Sequence, residues 1–261
     1  MREAMVHRFR AQKRTSPSAM DGAAMRRLAA TIRRDVILQN RYRFYAVSLL
    51  MVVFWGGFLS LILKAGAVDE ALVVPAFILS NLIVTTFYFM AGMVLLEKAE
   101  GMLAALVVTP LRDIEYFTSK IVTLSGLGLV ESLLIILLLF GLPERMLPLI
   151  AGTLFLGALF VLAGFISIVR YDTINEWILP SALVVTVLCL PLLSHFGFTE
   201  SVFARLHPLE PALVLMRGAY ERIASWEIAY GVVGAAAWTV IGVLSARRRF
   251  QRFVVRSAGG R

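Results

Sequence analysis

The side chains in this sequence that could carry acid–base or metal chemistry are few and scattered. The three histidines, His7, His195 and His207, lie far apart along the chain. His195 and His207 could meet in space, but two imidazoles without carboxylate or thiolate company make a poor metal site. The one cysteine, Cys189, sits inside an apolar block, so neither an intramolecular disulfide nor a Cys-rich metal site can form. No Gly-rich loop followed by Lys and Ser/Thr is present to cradle a nucleotide phosphate, and there is no HExxH, no GxSxG and no paired His/carboxylate cluster. The sequence predicts no catalytic residue, no metal site and no cofactor bound by this chain. Two polar features stand out instead. One is a lone carboxylate, Glu131, in the apolar stretch Leu127-Gly128-Leu129-Val130-Glu131-Ser132-Leu133. The other is a short polar run that opens at Glu97.

The elements that must position these residues are membrane spans. The chain is 59% hydrophobic, against about 45–50% for a soluble domain. Its apolar residues fall in long blocks rather than amphipathic stripes. Six spans are predicted, at about 44–63, 71–96, 116–140, 146–169, 177–196 and 227–246. A block of about 20 residues at 1.5 Å each covers roughly 30 Å, the thickness of a bilayer core. Together they form one transmembrane domain over 25–246, between a disordered basic tail at 1–24 and a second basic tail at 247–261. The net charge of +9 would suggest nucleic acid in a soluble protein. Here it reads as topology, and no nucleic-acid-binding motif is present. Of the 26 Lys and Arg residues, all but Lys64, Arg145, Arg205, Arg217 and Arg222 fall on one side of the six spans. The positive-inside rule then puts both termini in the cytoplasm of a multi-pass inner- or plasma-membrane protein. Residues 1–43 hold no apolar run long enough for a signal peptide, so the first span is expected to remain in the mature protein. From Met25 to Tyr45, Leu28, Ile32, Val36 and Leu38 recur near helical spacing among six arginines. That pattern predicts a basic amphipathic helix on the inner membrane surface.

Glu131 falls well inside the third span, where a charged carboxylate costs about 2.5–3.5 kcal/mol on insertion scales. It must meet a cavity, a polar partner or a proton. Either a cationic or zwitterionic substrate contact or a structural hydrogen bond would answer that need. Asn81, Thr85 and Thr86 in the second span are the candidate partners, and candidate lining of a substrate cavity. They are equally ordinary glue between membrane helices.

The polar run reads Glu97-Lys98-Ala99-Glu100-Gly101-Met102-Leu103-Ala104-Ala105-Leu106-Val107-Val108-Thr109-Pro110-Leu111. Ala99, Met102, Leu103, Leu106 and Val107 mark one helical face. Glu97 and Glu100 suit a first turn, where the dipole favours negative charge, and Pro110 ends the helix at Thr109. The expectation is a short amphipathic helix on the cytoplasmic side, its acidic residues turned to the cytoplasm. This run resembles the signature of type 2 ATP-binding-cassette (ABC) exporter permeases, Glu-Lys/Arg-x-x-Gly-Thr-Leu-x-x-Leu-x-x-Thr/Ser-Pro. Glu97, Lys98, Gly101, Leu103, Leu106, Thr109 and Pro110 match it, while Met102 stands where Thr is frequent and Ala104 where Glu is common. His207-Pro208-Leu209 resembles the family's Asn-Pro-Leu before the last span, with His207 in place of Asn. The resemblance covers roughly residues 25–256, and is closest to fluoroquinolone and multidrug export permeases.

The resemblance implies an all-α membrane permease with six transmembrane helices, a coupling helix between spans two and three, and outer re-entrant helices before span six. It implies a second permease copy, identical or a sister chain, and separate ABC ATPase subunits that bind ATP and Mg²⁺. The seven matched residues would couple to that ATPase, Gly101 by allowing its close approach. The chain itself would be no enzyme; it would export a hydrophobic or amphipathic drug-like molecule. Lipid or glycan export by the same architecture, a non-transporting membrane scaffold, and a secondary carrier are the alternatives. No internal inverted repeat, which a carrier would favour, is visible.

Overall fold

The computed structural model describes residues 17–66, 68–102, 112–198 and 202–259, and among them every regular element is helical. In chain order these are α1 (Pro17–Arg41), α2 (Phe44–Ala65), α3 (Glu70–Leu82), a π-helical turn (Ile83–Tyr88), α4 (Phe89–Ala99), α5 (Asp113–Leu139) and α6 (Met146–Ile168). They continue with α7 (Ile174–Cys189), α8 (Pro191–His195), α9 (Val202–Arg205), α10 (Glu210–Arg217) and α11 (Ser225–Gly259). Six stretches are long and apolar enough to cross a membrane: Phe44–Ala65, Glu70–Ala99, Asp113–Leu139, Met146–Ile168, Ile174–His195 and Ser225–Phe253.

The helix starts follow ordinary capping chemistry. Asp69 accepts a hydrogen bond from the Ala71 N–H at the head of α3, and Thr173 accepts one from the Glu176 N–H at the head of α7. Pro191, which lacks an N–H, opens α8 at its first position and breaks span five there. Span two carries an irregularity of another kind. Its backbone widens to a π turn at Ile83–Tyr88, where the Thr85 hydroxyl donates to the Asn81 carbonyl at 3.1 Å and the Thr86 hydroxyl to that of Leu82. Hydroxyls donating to a carbonyl four residues back loosen the backbone ladder locally.

Spans two and four form the centre, buried among the other helices, whereas spans one, five and six bury little of their surface within the chain. The end of the bundle that carries α1 and the tail of α11 is here called the basic end. Two boundaries differ from the sequence expectation. The first helix begins at Pro17 rather than Met25, and its final turn yields to Arg43 in a left-handed conformation, φ 63°, before α2 starts. The last helix does not stop near Ala246 but runs on to Gly259. Its Arg247, Arg248 and Arg249 prolong a helix instead of opening a tail, because Ala246 and Phe250 are both buried against the bundle.

Helix α1 is built into the bundle from Arg27 onward. Arg27 meets Glu115, Asp35 meets Ser119 and Lys120, and Gln39 meets Thr123. The partners advance together along both sequences, so α1 runs beside the first turns of α5 in the same direction.

Candidate functional site

The densest polar chemistry lies where the basic ends of spans two and three meet α1. Lys120, on α5, is fully buried, and its Nζ donates to Asp35 Oδ1 at 2.8 Å and to Glu97 Oε1 at 2.6 Å. Arg34 approaches the same Glu97 oxygen at 2.9 Å, and the Tyr116 hydroxyl donates to the other at 2.6 Å. The Ser119 hydroxyl donates to Asp35 Oδ2. Two cations thus face two carboxylates, with hydroxyls on the remaining oxygens, and the group is neutral as a whole. Burying such charges is tolerable only when each is paired and hydrogen-bonded.

This corrects the expectation for Glu97. It is not in the first turn of a separate helix facing water. It is in the last turn of α4 and fully buried. A carboxylate there opposes the helix dipole, and Lys120 and Arg34 outweigh that loss. The helix stops just beyond it at Gly101, whose φ of +68° favours glycine and whose N–H returns to the Lys98 carbonyl at 3.0 Å. Among the described residues, chain neighbours aside, nothing lies within 4 Å of where a Cβ would sit. Lys98 points the other way. Its Nζ donates to the carbonyls of Val169 and Tyr171, at 2.8 and 2.6 Å, and lies 3.3 Å from Asp172. A lysine on these last carbonyls caps the end of α6. It also stands 4.9 Å above the Phe253 ring of α11.

The neighbours complete a collar. The Tyr42 hydroxyl donates to Glu100 at 2.5 Å, and that bond pushes its phenol pKa above the usual range. Glu115 takes the Arg27 guanidinium at 2.8 Å, and the pair raises the Arg27 pKa further. Asp113 accepts from Gln251 at 2.9 Å and lies 3.8 Å from Arg247. Residues 97–100 and 112–115 are the two stems of one connection, and between them they hold α1, the α6–α7 turn and α11. The connection itself, with Leu103, Leu106, Thr109 and Pro110, lies outside the described residues.

Glu131 lies higher, between spans one, two and three. Its Oε2 accepts from Asn81 Nδ2 at 3.4 Å, and Asn81 also donates to Ser132 at 3.1 Å. Among the described residues Asn81 Oδ1 has no hydrogen-bond partner, and Glu131 Oε1 and the Ser48 hydroxyl, though neighbours, make no hydrogen bond of ordinary geometry. Thr85 and Thr86 do not join them, since both hydroxyls turn to their own helix. All four residues named from the sequence here are at most 3% exposed, so they are enclosed by the protein rather than lining an open cleft.

At the opposite end, α10 is wedged against spans four and six, with Pro211, Ala212, Leu213, Leu215 and Met216 buried. Close approach depends on Gly152, where a Cβ would lie 2.8 Å from the Ala212 carbonyl. His195 and His207 do not share a site: one ring meets the Leu72 carbonyl at 2.9 Å, the other the Val187 carbonyl at 3.2 Å. His207 Nδ1 accepts from the Leu209 N–H at 3.3 Å. An Asn side chain caps a turn in the same way, which explains why His can stand in the Asn-Pro-Leu pattern. Burial lowers its pKa, and the neutral ring carrying its proton on Nε2 satisfies both contacts.

The sequence from residue 26 to residue 258 matches the fluoroquinolones export permease protein family. The chain belongs to that family. Similar proteins include the fluoroquinolones export permease proteins of two strains of Mycobacterium tuberculosis. Each is 26% identical over 238 residues, covering 90% of this chain and 99% of the relative. The permease family is a transporter family, so its members are not themselves enzymes.

Of the permease's matched motif residues, the structure brings Glu97 and Lys98 into the collar and makes Gly101 its helix stop. Asp35, Lys120, Tyr116 and Glu115 belong to the same collar and were not anticipated. Lys120 had counted only as a topology charge. A lysine one turn beyond Tyr116, the only cation in α5, is the local signal that marks it.

Proposed function

We propose that this permease is the membrane subunit of an ABC exporter. Two copies pair, and two separately encoded ATPase chains bind ATP and Mg²⁺ beneath the basic end, which faces the cytoplasm with both termini. The cargo is an amphipathic drug-like molecule, fluoroquinolones among them, as the names of its relatives suggest. The connection 97–110 takes the ATPase stroke through Leu103, Leu106, Thr109 and Pro110. The observation that carries the reading is the collar: between them, the two stems of that connection are tied to α1, the α6–α7 turn and α11. A push on the connection therefore reaches five of the six spans as one movement rather than dissipating in a loop. Rotation of these helices would expose a path between the two permeases outward. Asn81, Thr85, Thr86 and Glu131 would line that path only after such a movement.

The test is co-expression with an ABC ATPase chain from the same organism, followed by purification and an ATPase assay in lipid. The expected result is a stable complex whose hydrolysis is stimulated by a fluoroquinolone. Leu103→Asp and Leu106→Asp should release the ATPase while leaving the permease inserted and monodisperse. A permease that purifies alone and exchanges substrate without any ATPase would make it a carrier instead.

A further inference from the structure

We propose that the outward face of α1 is a docking surface for anionic phospholipid headgroups of the leaflet at the basic end. The charges of α1 divide sharply between its two faces. Arg27 and Arg34 turn inward and are neutralised by Glu115 and Glu97. Arg26, Arg33 and Arg41 are exposed and recur with Ile37 at helical spacing, along one stripe. Arg41 lies 3.8 Å from Glu100 and 5.6 Å from the centre of the Tyr42 ring, with its side chain still 70% exposed. Among the described residues Arg26, Arg33 and Arg43 enter no ion pair.

Apolar side chains interrupt this basic stripe. Val36 is 40% exposed and Ile37 57% exposed, between Arg33 and Arg41. Water alone would not favour that mixture, and an acidic protein surface would match only half of it. A bilayer interface matches both halves, with phosphates for the guanidinium groups and the acyl boundary for Val36 and Ile37. Continuity with the first span supports the same match. Arg43 directly precedes α2, whose Leu49, Leu50, Val53 and Phe54 are exposed along one side. The basic stripe therefore ends where the exposed apolar surface of a span begins, the order in which headgroups and hydrocarbon follow one another across a leaflet. Arg43 itself occupies a left-handed backbone position that glycine would hold without strain. A long cation there sends its fork into the same layer, where phosphate oxygens can be bound by two parallel N–H groups.

The inference does not depend on the ATPase, so its test uses the purified permease alone. Thermal unfolding is followed in a neutral detergent with added phosphatidylglycerol or phosphatidylcholine. Phosphatidylglycerol should raise the midpoint by several degrees, phosphatidylcholine should not, and high salt should remove the difference. Each interfacial arginine is worth about a fivefold change in affinity for an anionic surface. The R33Q/R43Q double variant should then need over tenfold more phosphatidylglycerol for the same shift. Arg248→Gln, an exposed arginine on α11 at the same end, should leave the response intact. Equal responses to the two lipids, or an equal loss in R248Q, would overturn the proposal. So would an R33Q/R43Q variant that keeps its lipid response yet releases the co-expressed ATPase, which would assign the face to that subunit.

Discussion

Lys120 is a cation with no access to water, and its two carboxylate partners have none either. That arrangement makes its removal unlike the loss of a surface charge. Lys120→Met leaves Asp35 and Glu97 buried, with Arg34 alone to answer both. The expected loss is about 3–5 kcal/mol, the range for breaking a buried pair from one side, read as a drop in the thermal midpoint of the purified permease. Adding Asp35→Asn and Glu97→Gln to the same chain should recover most of it, since the one charge then left without a carboxylate is Arg34, whose side chain is 36% exposed and can turn to water. A single variant as stable as the parent would show that water reaches the cluster. The same chemistry explains why Glu97 misleads at sequence level. Two acidic residues before a short amphipathic run suit a helix start, and nothing local reveals that cations distant in sequence, Arg34 and Lys120, converge on the first of them.

Helix α10 shows what an eight-residue element can do once its neighbours make room for it. The Glu210 carboxyl at its head has one buried oxygen without a partner among the described residues. Burial raises its pKa from 4.5 to about 7, although Arg217 and Arg205 pull the other way. The folded state therefore holds a proton that the unfolded chain has released over the window from 4.5 to about 7. Stability falls as pH rises through that window and is greatest below it. Amide protection across residues 209–217, taken relative to the intrinsic exchange rate at each pH, should be greater at the acid edge of the window than at neutral pH. Glu210→Gln should flatten the dependence, and an unchanged slope in that variant would remove Glu210 as its source. Element lengths were largely legible: the apolar blocks located all six spans, because the lipid requirement is written in every residue of a span. The continuation of α11 past Ala246 was not, since three successive arginines look like a tail until Phe250 is seen packed on Tyr116 at 5.6 Å.

At the scale of the whole molecule, packing is uneven. Spans two and four are enclosed, and spans one, five and six stand at the margin with most of their surface outside the chain. A lone chain in this form gathers its polar contacts at the basic end and leaves long apolar flanks for lipid or a second copy. The assembled transporter should accordingly measure by light scattering as two permeases with two ATPase chains, and a complex of one and one would refute the pairing. The candidate site was half legible. Its motif named Glu97, Lys98 and Gly101 through a family likeness, but the partners came from four other elements. Polar pairs between distant helices leave no periodic trace, whereas burial in lipid does. Glu131 and Asn81 were an exception, because a carboxylate inside an apolar block must find company and the second span offers few polar groups.

The π turn in span two carries a further consequence for how this chain is compared with others. A turn closed by bonds five residues apart holds one residue more than an α-helical turn. Above and below Ile83–Tyr88, the two halves are therefore out of phase by about 100°, one residue's rotation. An alignment drawn without a gap against a relative whose span is regular would be right on only one side of the turn. It would pair either Asn81 or Glu97 with a neighbour that faces elsewhere. The gap belongs inside the membrane, where alignment methods are least inclined to place one.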